Sequence, residues 1–200
     1  MQHGPQTDRQ SRSKSAACSP AAQEERRALG LPAAAPASPG CLNGRARTAT
    51  AVAKRALHVT DVLNEAPDYP QATAFSRGLS IDLPVGARML LLSGTASVGA
   101  QGETLHEGDF EAQCWRTYRN LTRLLESEGA CWHDVVRTTC YLRDIERDYD
   151  SFNRIRTEFF RALGLDPFPA STGIQVRLCR SDLLVEIEAT ALLAGAKKPA

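Results

Sequence analysis

The stretch from residue 109 to residue 142, DFEAQCWRTYRNLTRLLESEGACWHDVVRTTCYL, decides the fold class of this chain. Over residues 109–128, apolar side chains recur every three or four positions, which predicts a helix with one buried stripe. Asp109 suits the N-cap of this helix and Gly129 its end. Residues 135–142 are rich in β-branched side chains and predict a strand. The predicted stripe comprises Trp115, Tyr118, Leu121, Leu124 and Leu125.

The same patterns extend to both sides of this stretch. Strands are predicted at 74–81 and 88–94, a second amphipathic helix at about 149–163, and strands at 172–178 and 183–193. The inward side chains of the second helix are Phe152, Ile155, Phe159 and Phe160. The order ββ(β)αβαββ predicts an α/β domain with two helices on one face of a mixed sheet. The other face would meet solvent or another subunit. Uncharged residues expected on that face favour a homo-oligomer, and they are Thr138, Cys140, Ser171 and Thr190.

Composition divides the chain into two unlike parts. The 200 residues carry a net charge of +1, but residues 1–60 hold nine basic and three acidic residues and no aromatic one. The remainder holds fifteen basic and twenty acidic residues, a net of −5. An Ala-, Pro-, Ser- and Arg-rich segment buries too little apolar area to offset its ordering entropy. We therefore expect a disordered basic tail at 1–66, one folded domain at 67–194 and a short disordered tail at 195–200.

Several classes of protein are disfavoured by the same composition. The longest apolar run, Met89–Leu92, is too short to span a membrane, and no secretory signal is present, so we expect a cytoplasmic protein. The cysteines and histidines lack metal-ligand spacing, which predicts no metal or other cofactor. A short helix around 22–29 would find nothing to pack on. The arginines of the two main helices alternate with acidic residues and predict solvated surface. They are Arg116, Arg119, Arg123, Arg154, Arg156 and Arg161.

Two features carry the residue types that chemistry needs. Glu186 and Glu188, in VEIEA at 185–189, share one face of a predicted strand, about 6–7 Å apart. Such carboxylates can divide acid and base roles, or simply line a solvated face. Hydroxyls beside glycine occur at Ser93-Gly94-Thr95 and within Pro169–Gly173. They suit ligand contacts as well as turn chemistry.

Taken together, these residues resemble the Rid (RidA/YjgF) superfamily between Tyr69 and Leu193. The motifs are Phe75-Ser76, Leu92-Ser93-Gly94, Gly108-Asp109 with Gln113 and Asn120-Leu121, Asp134–Thr139, Phe152-Asn153, Pro169-Ala170 and Leu184–Ala189. The resemblance implies a chorismate-mutase-like fold and a homotrimer with ligand clefts between subunits. It also implies a small-molecule substrate, a reactive enamine or imine such as 2-aminoacrylate, hydrolysed to a keto acid and ammonia.

The resemblance also implies a site, carried over residue by residue. Glu186 would position or activate water, while Ser93 and the backbone of Ser171–Gly173 would orient the ligand. The other implied substrate-binding residues are Phe75, where a Tyr is usual, Gly94, Asn153 and Thr172. Ser171 stands where the superfamily has an arginine for the substrate carboxylate. Loss of one charge-assisted bond costs about 1.5–3 kcal/mol, so we expect weakened binding of ordinary 2-aminoacrylate.

A second resemblance leaves other functions open. Segments 93–97, 105–109 and 178–188 are similar to the C-terminal half of chorismatases, which implies Cys179 and Glu186 in a site that breaks an enol ether. We expect no room in residues 1–60 for the other chorismatase module. A non-catalytic trimer that binds a metabolite or a partner protein is a further alternative. Ribonuclease activity and nucleic-acid binding are disfavoured by the acidic domain.

Overall fold

A four-stranded mixed sheet forms the centre of the protein. The computed structural model describes residues 18–31, 52–58, 68 and 73–194. The sheet strands are β3 (Arg88–Ala96), β4 (Val135–Leu142), β5 (Ala170–Gln175) and β6 (Val185–Leu193). Their order is β3-β6-β4-β5, with β6 antiparallel to both neighbours and β4 parallel to β5. A separate antiparallel pair joins β1 (Lys54–Ala56) to β2 (Leu79–Ile81).

Two long helices cover one face of this sheet, as the sequence predicts. Helix α2 spans Phe110–Ser127, and the Asp109 side chain accepts a hydrogen bond from the Ala112 amide at 3.0 Å. Helix α3 spans Ile145–Ala162 and is capped in the same way by Asp144. It begins four residues before the predicted start because residues 146–148 are all charged, so no apolar periodicity marks that turn.

Aromatic side chains fill the core between the helices and the sheet. Phe159 is fully buried, and its ring centroid lies 4.5 Å from that of Tyr118 and 5.1 Å from that of Trp132. Edge-to-face and tilted contacts of this kind add to the stabilisation that burial provides. The predicted stripe of α2 is confirmed except at Leu124, which is 47% exposed.

The two faces of the sheet have opposite character. Val185, Ile187 and Ala189 of β6 are buried under the helices. The other face, here called the uncovered face, carries Glu186, Glu188 and Thr190 of β6 beside the exposed Met89 and Leu91 of β3.

The predicted position of three uncharged residues is wrong. Thr138 and Cys140 are both 1% exposed, and the Thr138 hydroxyl donates to Ser171 Oγ at 3.0 Å on the helix-covered side. The alternation of β4 is set by Leu142, which is fully buried in the core together with Cys140. Of the four predicted residues, Thr190 alone lies on the uncovered face.

A third helix, α1 (Pro20–Ala28), packs against α2. The Ser19 hydroxyl accepts from the Ala22 amide at 3.0 Å and donates to Asp109, so it joins the N-termini of α1 and α2. Ala22 and Leu29 are buried. The predicted disorder of residues 1–66 is therefore wrong for α1 and for β1, and so is the expectation that a helix here has nothing to pack on. The predicted tail at 195–200 lies outside the described residues.

A buried charge adds to the apolar contacts that hold α1 in place. Glu25 is 5% exposed, and its carboxylate lies 3.0 Å from His106 Nε2, 3.0 Å from Arg119 Nη1 and 3.4 Å from Arg116 Nη1. Burial by itself would raise the pKa of Glu25, but the hydrogen bonds from His106 and Arg119 and the nearby guanidinium charges lower it below 4.5.

We expect Glu25→Gln to loosen α1 while the central sheet stays folded. Loss of the charge leaves two arginines without their partner, a cost of about 1–3 kcal/mol. Amide hydrogen exchange over Pro20–Ala28 should accelerate accordingly. Because the folded-state pKa of Glu25 lies below its ordinary value, wild-type docking is complete above pH 4.5 and is lost as the pH falls through that lowered pKa. Equal exchange in wild type and variant at pH 7 would contradict this role of Glu25.

Candidate functional site

Gly94 and Glu186 meet on the uncovered face, between β3 and β6, and Ser93 precedes Gly94 in the chain. The register of this strand pair shifts between Leu92 and Thr95, at the position of Ser93 and Gly94. A Cβ atom at Gly94 would lie 1.8 Å from Glu186 Oε1. The carboxylate therefore rests directly against the Gly94 backbone, in space that only glycine leaves open.

Glu186 and Glu188 have different surroundings, although they share one face. A hydrogen bond to Glu188 raises the pKa of the Tyr141 hydroxyl above 10. Within the described residues, the Glu186 carboxylate accepts no hydrogen bond and forms no ion pair. Glu186 is thus the one of the two predicted carboxylates without a hydrogen-bond partner among the described residues, and all its lone pairs are available to water or a ligand.

A cleft of about 280 Å³ opens on the same face. Glu188, Thr190, Arg137 and Ser93 supply its polar lining, and Leu91 supplies apolar surface. Arg137 Nη2 also donates to Thr172 Oγ1 at 3.3 Å, which brings one predicted binding residue of β5 to this face.

Three other predicted residues, Phe75, Asn153 and Ser171, lie on the helix-covered side and surround Arg156. Arg156 Nη2 donates to Asn153 Oδ1 at 2.6 Å, and Nη1 donates to Ser171 Oγ at 3.2 Å. The guanidinium carbon lies 5.6 Å from the centroid of the Phe75 ring. We refer to these four residues as the Arg156 group.

Arg156 is the site residue that the sequence analysis missed. It was assigned to solvated surface, but it is 3% exposed. Its spacing of three residues from Asn153 places both on one helix face, which is the only sequence signal that could have found it. The acidic residues that alternate with the arginines of α3 show only what lies near Arg156 along the chain. They do not show that Arg156 packs against the sheet.

Backbone pairing with β5 places Phe75 in this group. The Ser76 amide donates to the Pro169 carbonyl at 3.1 Å, and the Ser76 hydroxyl donates to the Phe168 carbonyl at 2.6 Å. The predicted strand at 74–81 is therefore divided into a single bridge at Ser76 and the short strand β2.

The structure does not bring the remaining predicted residues into either group. A Cβ at Gly173 would meet Tyr149 at an ordinary 3.8 Å, on the helix-covered side. Cys179 is exposed in the loop between β5 and β6. Within the described residues, no cluster of three or more His, Cys, Asp or Glu side chains could hold a metal ion. None of the helices described is both long and apolar enough to cross a membrane.

Comparison with known proteins assigns the family. The family model for endoribonuclease L-PSP matches residues 68–193. A RutC family protein of Pyrococcus abyssi is 29% identical over 102 residues, which cover 51% of this chain and 76% of the relative. The solved structure of YyfB, a protein of the conserved Rid family from Yersinia pestis, has a TM-score of 0.56 and 28% identity, and the match covers 69% of this chain and 97% of that one. The chain belongs to the Rid superfamily.

One relative within the Rid superfamily bears the name of an activity. The 3-aminoacrylate deaminase RutC of Acinetobacter baylyi is 28% identical over 103 residues, which cover 52% of this chain and 78% of the relative. The predicted family and the predicted chorismate-mutase-like fold of a Rid protein are confirmed.

Proposed function

We propose that the protein is a Rid-type hydrolase that releases ammonia from a reactive enamine or imine. Membership of the Rid superfamily and the deaminase name of one relative support the reaction class. The observation that carries the proposal is the Glu186 carboxylate, which has no partner among the described residues and rests against Gly94 on an open face.

Glu186 has the chemistry that hydrolysis of a C=N bond requires. An enamine first takes a proton on carbon and loses one from nitrogen, which gives the imine. Glu186 then accepts a proton from water while the water oxygen bonds to the C=N carbon and the nitrogen takes a proton from solvent, which gives a carbinolamine. In its collapse Glu186 returns its proton to the nitrogen, the hydroxyl loses its proton to solvent and the C–N bond breaks, so that the oxygen remains as a carbonyl and the nitrogen leaves as ammonia. Ser93, next to Gly94 in the chain and in the lining of the cleft, orients the adding water or the substrate.

The working site requires more than one copy of the chain. Glu186 and the Arg156 group lie on opposite faces of the sheet, so a single copy cannot direct both at one small molecule. On the uncovered face, Met89 is 60% exposed and Leu91 is 72% exposed, which favours burial against another subunit. The proposed cleft therefore combines Glu186 of one copy with the Arg156 group of another, in the homotrimer that the family resemblance implies.

The decisive experiment measures keto-acid and ammonia release from a panel of enamines and imines generated in situ, with enol ethers included. Light scattering on the same samples gives the number of copies in the assembly. We expect faster release than in buffer alone and a trimeric mass. Saturable binding without turnover would replace the proposal with the non-catalytic alternative, and turnover of enol ethers alone would favour the chorismatase-like one.

Gly94→Ala should displace the catalytic carboxylate without unfolding the protein. The new Cβ would overlap Glu186 Oε1, and the flexible end of that side chain would move away. Misplacement by about 1 Å can cost up to about 100-fold, so we expect a loss of about tenfold or more in kcat/KM.

Gly99→Ala is the matched control for this displacement. Its Cβ would lie 2.0 Å from Glu103 Oε1, so it also displaces a carboxylate, but in the turn that follows β3 and not against Glu186. Its activity should equal that of wild type. Full activity in Gly94→Ala would show that catalysis does not depend on where the Glu186 carboxylate lies.

A further inference from the structure

Arg156 is a buried cation whose hydrogen-bonding capacity is only partly used. Its side chain donates to two neutral acceptors, the amide oxygen of Asn153 and the hydroxyl of Ser171. Its Nε is buried and has no hydrogen-bond partner. A guanidinium has five N–H donors in a fixed plane, so Arg156 retains N–H groups that have no acceptor among the described residues.

The described residues provide no counter-charge for Arg156. Neighbouring arginines of α3 are paired, Arg147 with Asp148 and Arg154 with Glu111, but no ion pair of the described residues includes Arg156. Arg156 also contacts the Cys140 thiol, and burial raises the pKa of that thiol, so it is neutral at pH 7. Buried charges are normally paired, because removal of an ion from water is costly. The described part of the chain therefore leaves the charge of Arg156 without a paired anion.

The surroundings of Arg156 hold it as a binding group. The guanidinium carbon lies 5.1 Å from the Phe152 ring centroid and 5.6 Å from that of Phe75, so two aromatic rings and two hydrogen bonds restrict its orientation. Phe75 and Ser171 are only half-buried, so the Arg156 group reaches the protein surface at these two residues. A planar fork fixed in this way matches the two oxygens of a carboxylate.

We propose that Arg156 binds the carboxylate of the substrate, from helix α3, in place of the arginine that Ser171 lacks. Ser171 is the position at which the family resemblance implies a carboxylate-binding arginine, and its Oγ lies 3.2 Å from Arg156 Nη1. In this chain the cation is therefore carried by helix α3 and not by strand β5, but it lies beside the same position, Ser171. This inference rests on the proposed function and narrows the substrate class to enamines and imines of small carboxylic acids.

Binding of 2-oxobutanoate, a keto acid that cannot be deaminated, tests the subsite without turnover. Calorimetric titration of the full-length protein should show Arg156→Met binding about tenfold or more weakly than wild type, with Arg156→Lys in between. The matched control is Arg161→Met, which removes an exposed cation of the same helix and should bind as wild type does. Butanone, which lacks the carboxylate, should bind equally weakly to all four proteins. Inorganic phosphate should compete poorly with 2-oxobutanoate, because the planar guanidinium of Arg156 matches a planar carboxylate better than a tetrahedral phosphate.

A structural role for Arg156 gives different results. Removal of an unpaired buried charge should leave the melting temperature of ligand-free Arg156→Met equal to or above that of wild type, whereas a structural arginine would lower it. If Arg156→Met does not fold, the Arg156 Nε–H resonance of wild type, assigned with Arg156→Lys, should still shift on addition of 2-oxobutanoate.

Unchanged affinity in Arg156→Met, or an unshifted Nε–H resonance, overturns the subsite. Tighter binding of phosphate than of 2-oxobutanoate also overturns it. Arg156-dependent binding without turnover of any enamine would keep the subsite and refute the proposed hydrolase. Turnover of an enamine by wild type, together with unchanged affinity in Arg156→Met, would keep the proposed hydrolase and refute the subsite.

Discussion

Glu186→Gln should reduce kcat/KM for enamine or imine hydrolysis by about 100-fold or more, the usual contribution of a positioned acid or base. Glutamine keeps the shape of the side chain but cannot take the proton of the attacking water. Because the Glu186 carboxylate has no partner among the described residues, the substitution breaks no ion pair and should leave stability unchanged. Steady-state rates of keto-acid release at pH 7 measure the effect.

Glu188→Gln is the control for this substitution. Glu188 lies two residues from Glu186 on the same face, so its substitution removes the same charge. Unlike Glu186, Glu188 already accepts a hydrogen bond, from Tyr141. We expect its kcat/KM to stay within about tenfold of wild type, and the affinity of Glu186→Gln for 2-oxobutanoate to be unchanged. Activity of Glu186→Gln above a tenth of wild type would show that another group handles the proton.

Phe159→Ala should lower the free energy of unfolding by about 3–5 kcal/mol, the range for loss of a buried phenylalanine. Phe159 is fully buried, and its ring contacts four other rings of the core, those of Trp115, Tyr118, Trp132 and Phe160. Truncation leaves a cavity that rigid aromatic neighbours cannot collapse to fill. Urea unfolding at one fixed protein concentration measures the change, since self-association shifts apparent stability.

Leu124→Ala provides the comparison for Phe159→Ala. Leu124 belongs to the apolar stripe predicted for α2, yet it is 47% exposed, so its truncation should cost less than about 1 kcal/mol. A cost for Phe159→Ala as small as that for Leu124→Ala would mean that the aromatic cluster does not support the fold.

Features that repeat over a few neighbouring residues were predictable. The helices α2 and α3, the bounds of β4 and the placement of Glu186 and Glu188 on one face all follow from local periodicity. The alternation of β4 was assigned to the wrong faces, because Thr138 and Cys140 are small and uncharged and fit either environment. The long strand at 183–193 was predicted to within two residues, since alternation of charge and apolar bulk is unambiguous there.

The docking of α1 could not be read from composition. Its segment has little apolar area, and the helix is held by Glu25 among His106, Arg116 and Arg119. These partners are distant in sequence, so no window of neighbouring residues contains the interaction. The apolar area of α1 is therefore smaller than its docking requires, and the charged contacts of Glu25 add to it.

Short motifs and local periodicity were enough to predict the family, the order of the main helices and strands and the strand that presents Glu186, because each depends on residues close together in the chain. Tertiary structure alone decided that Arg156 is buried beside Ser171 and that this group and Glu186 lie on opposite faces of the sheet. The physical reason is that the effect of a charged side chain on stability and binding depends on its burial and its partners in space. Arg156 is a surface residue by its neighbours along the helix and a buried, unpaired cation by its neighbours in space.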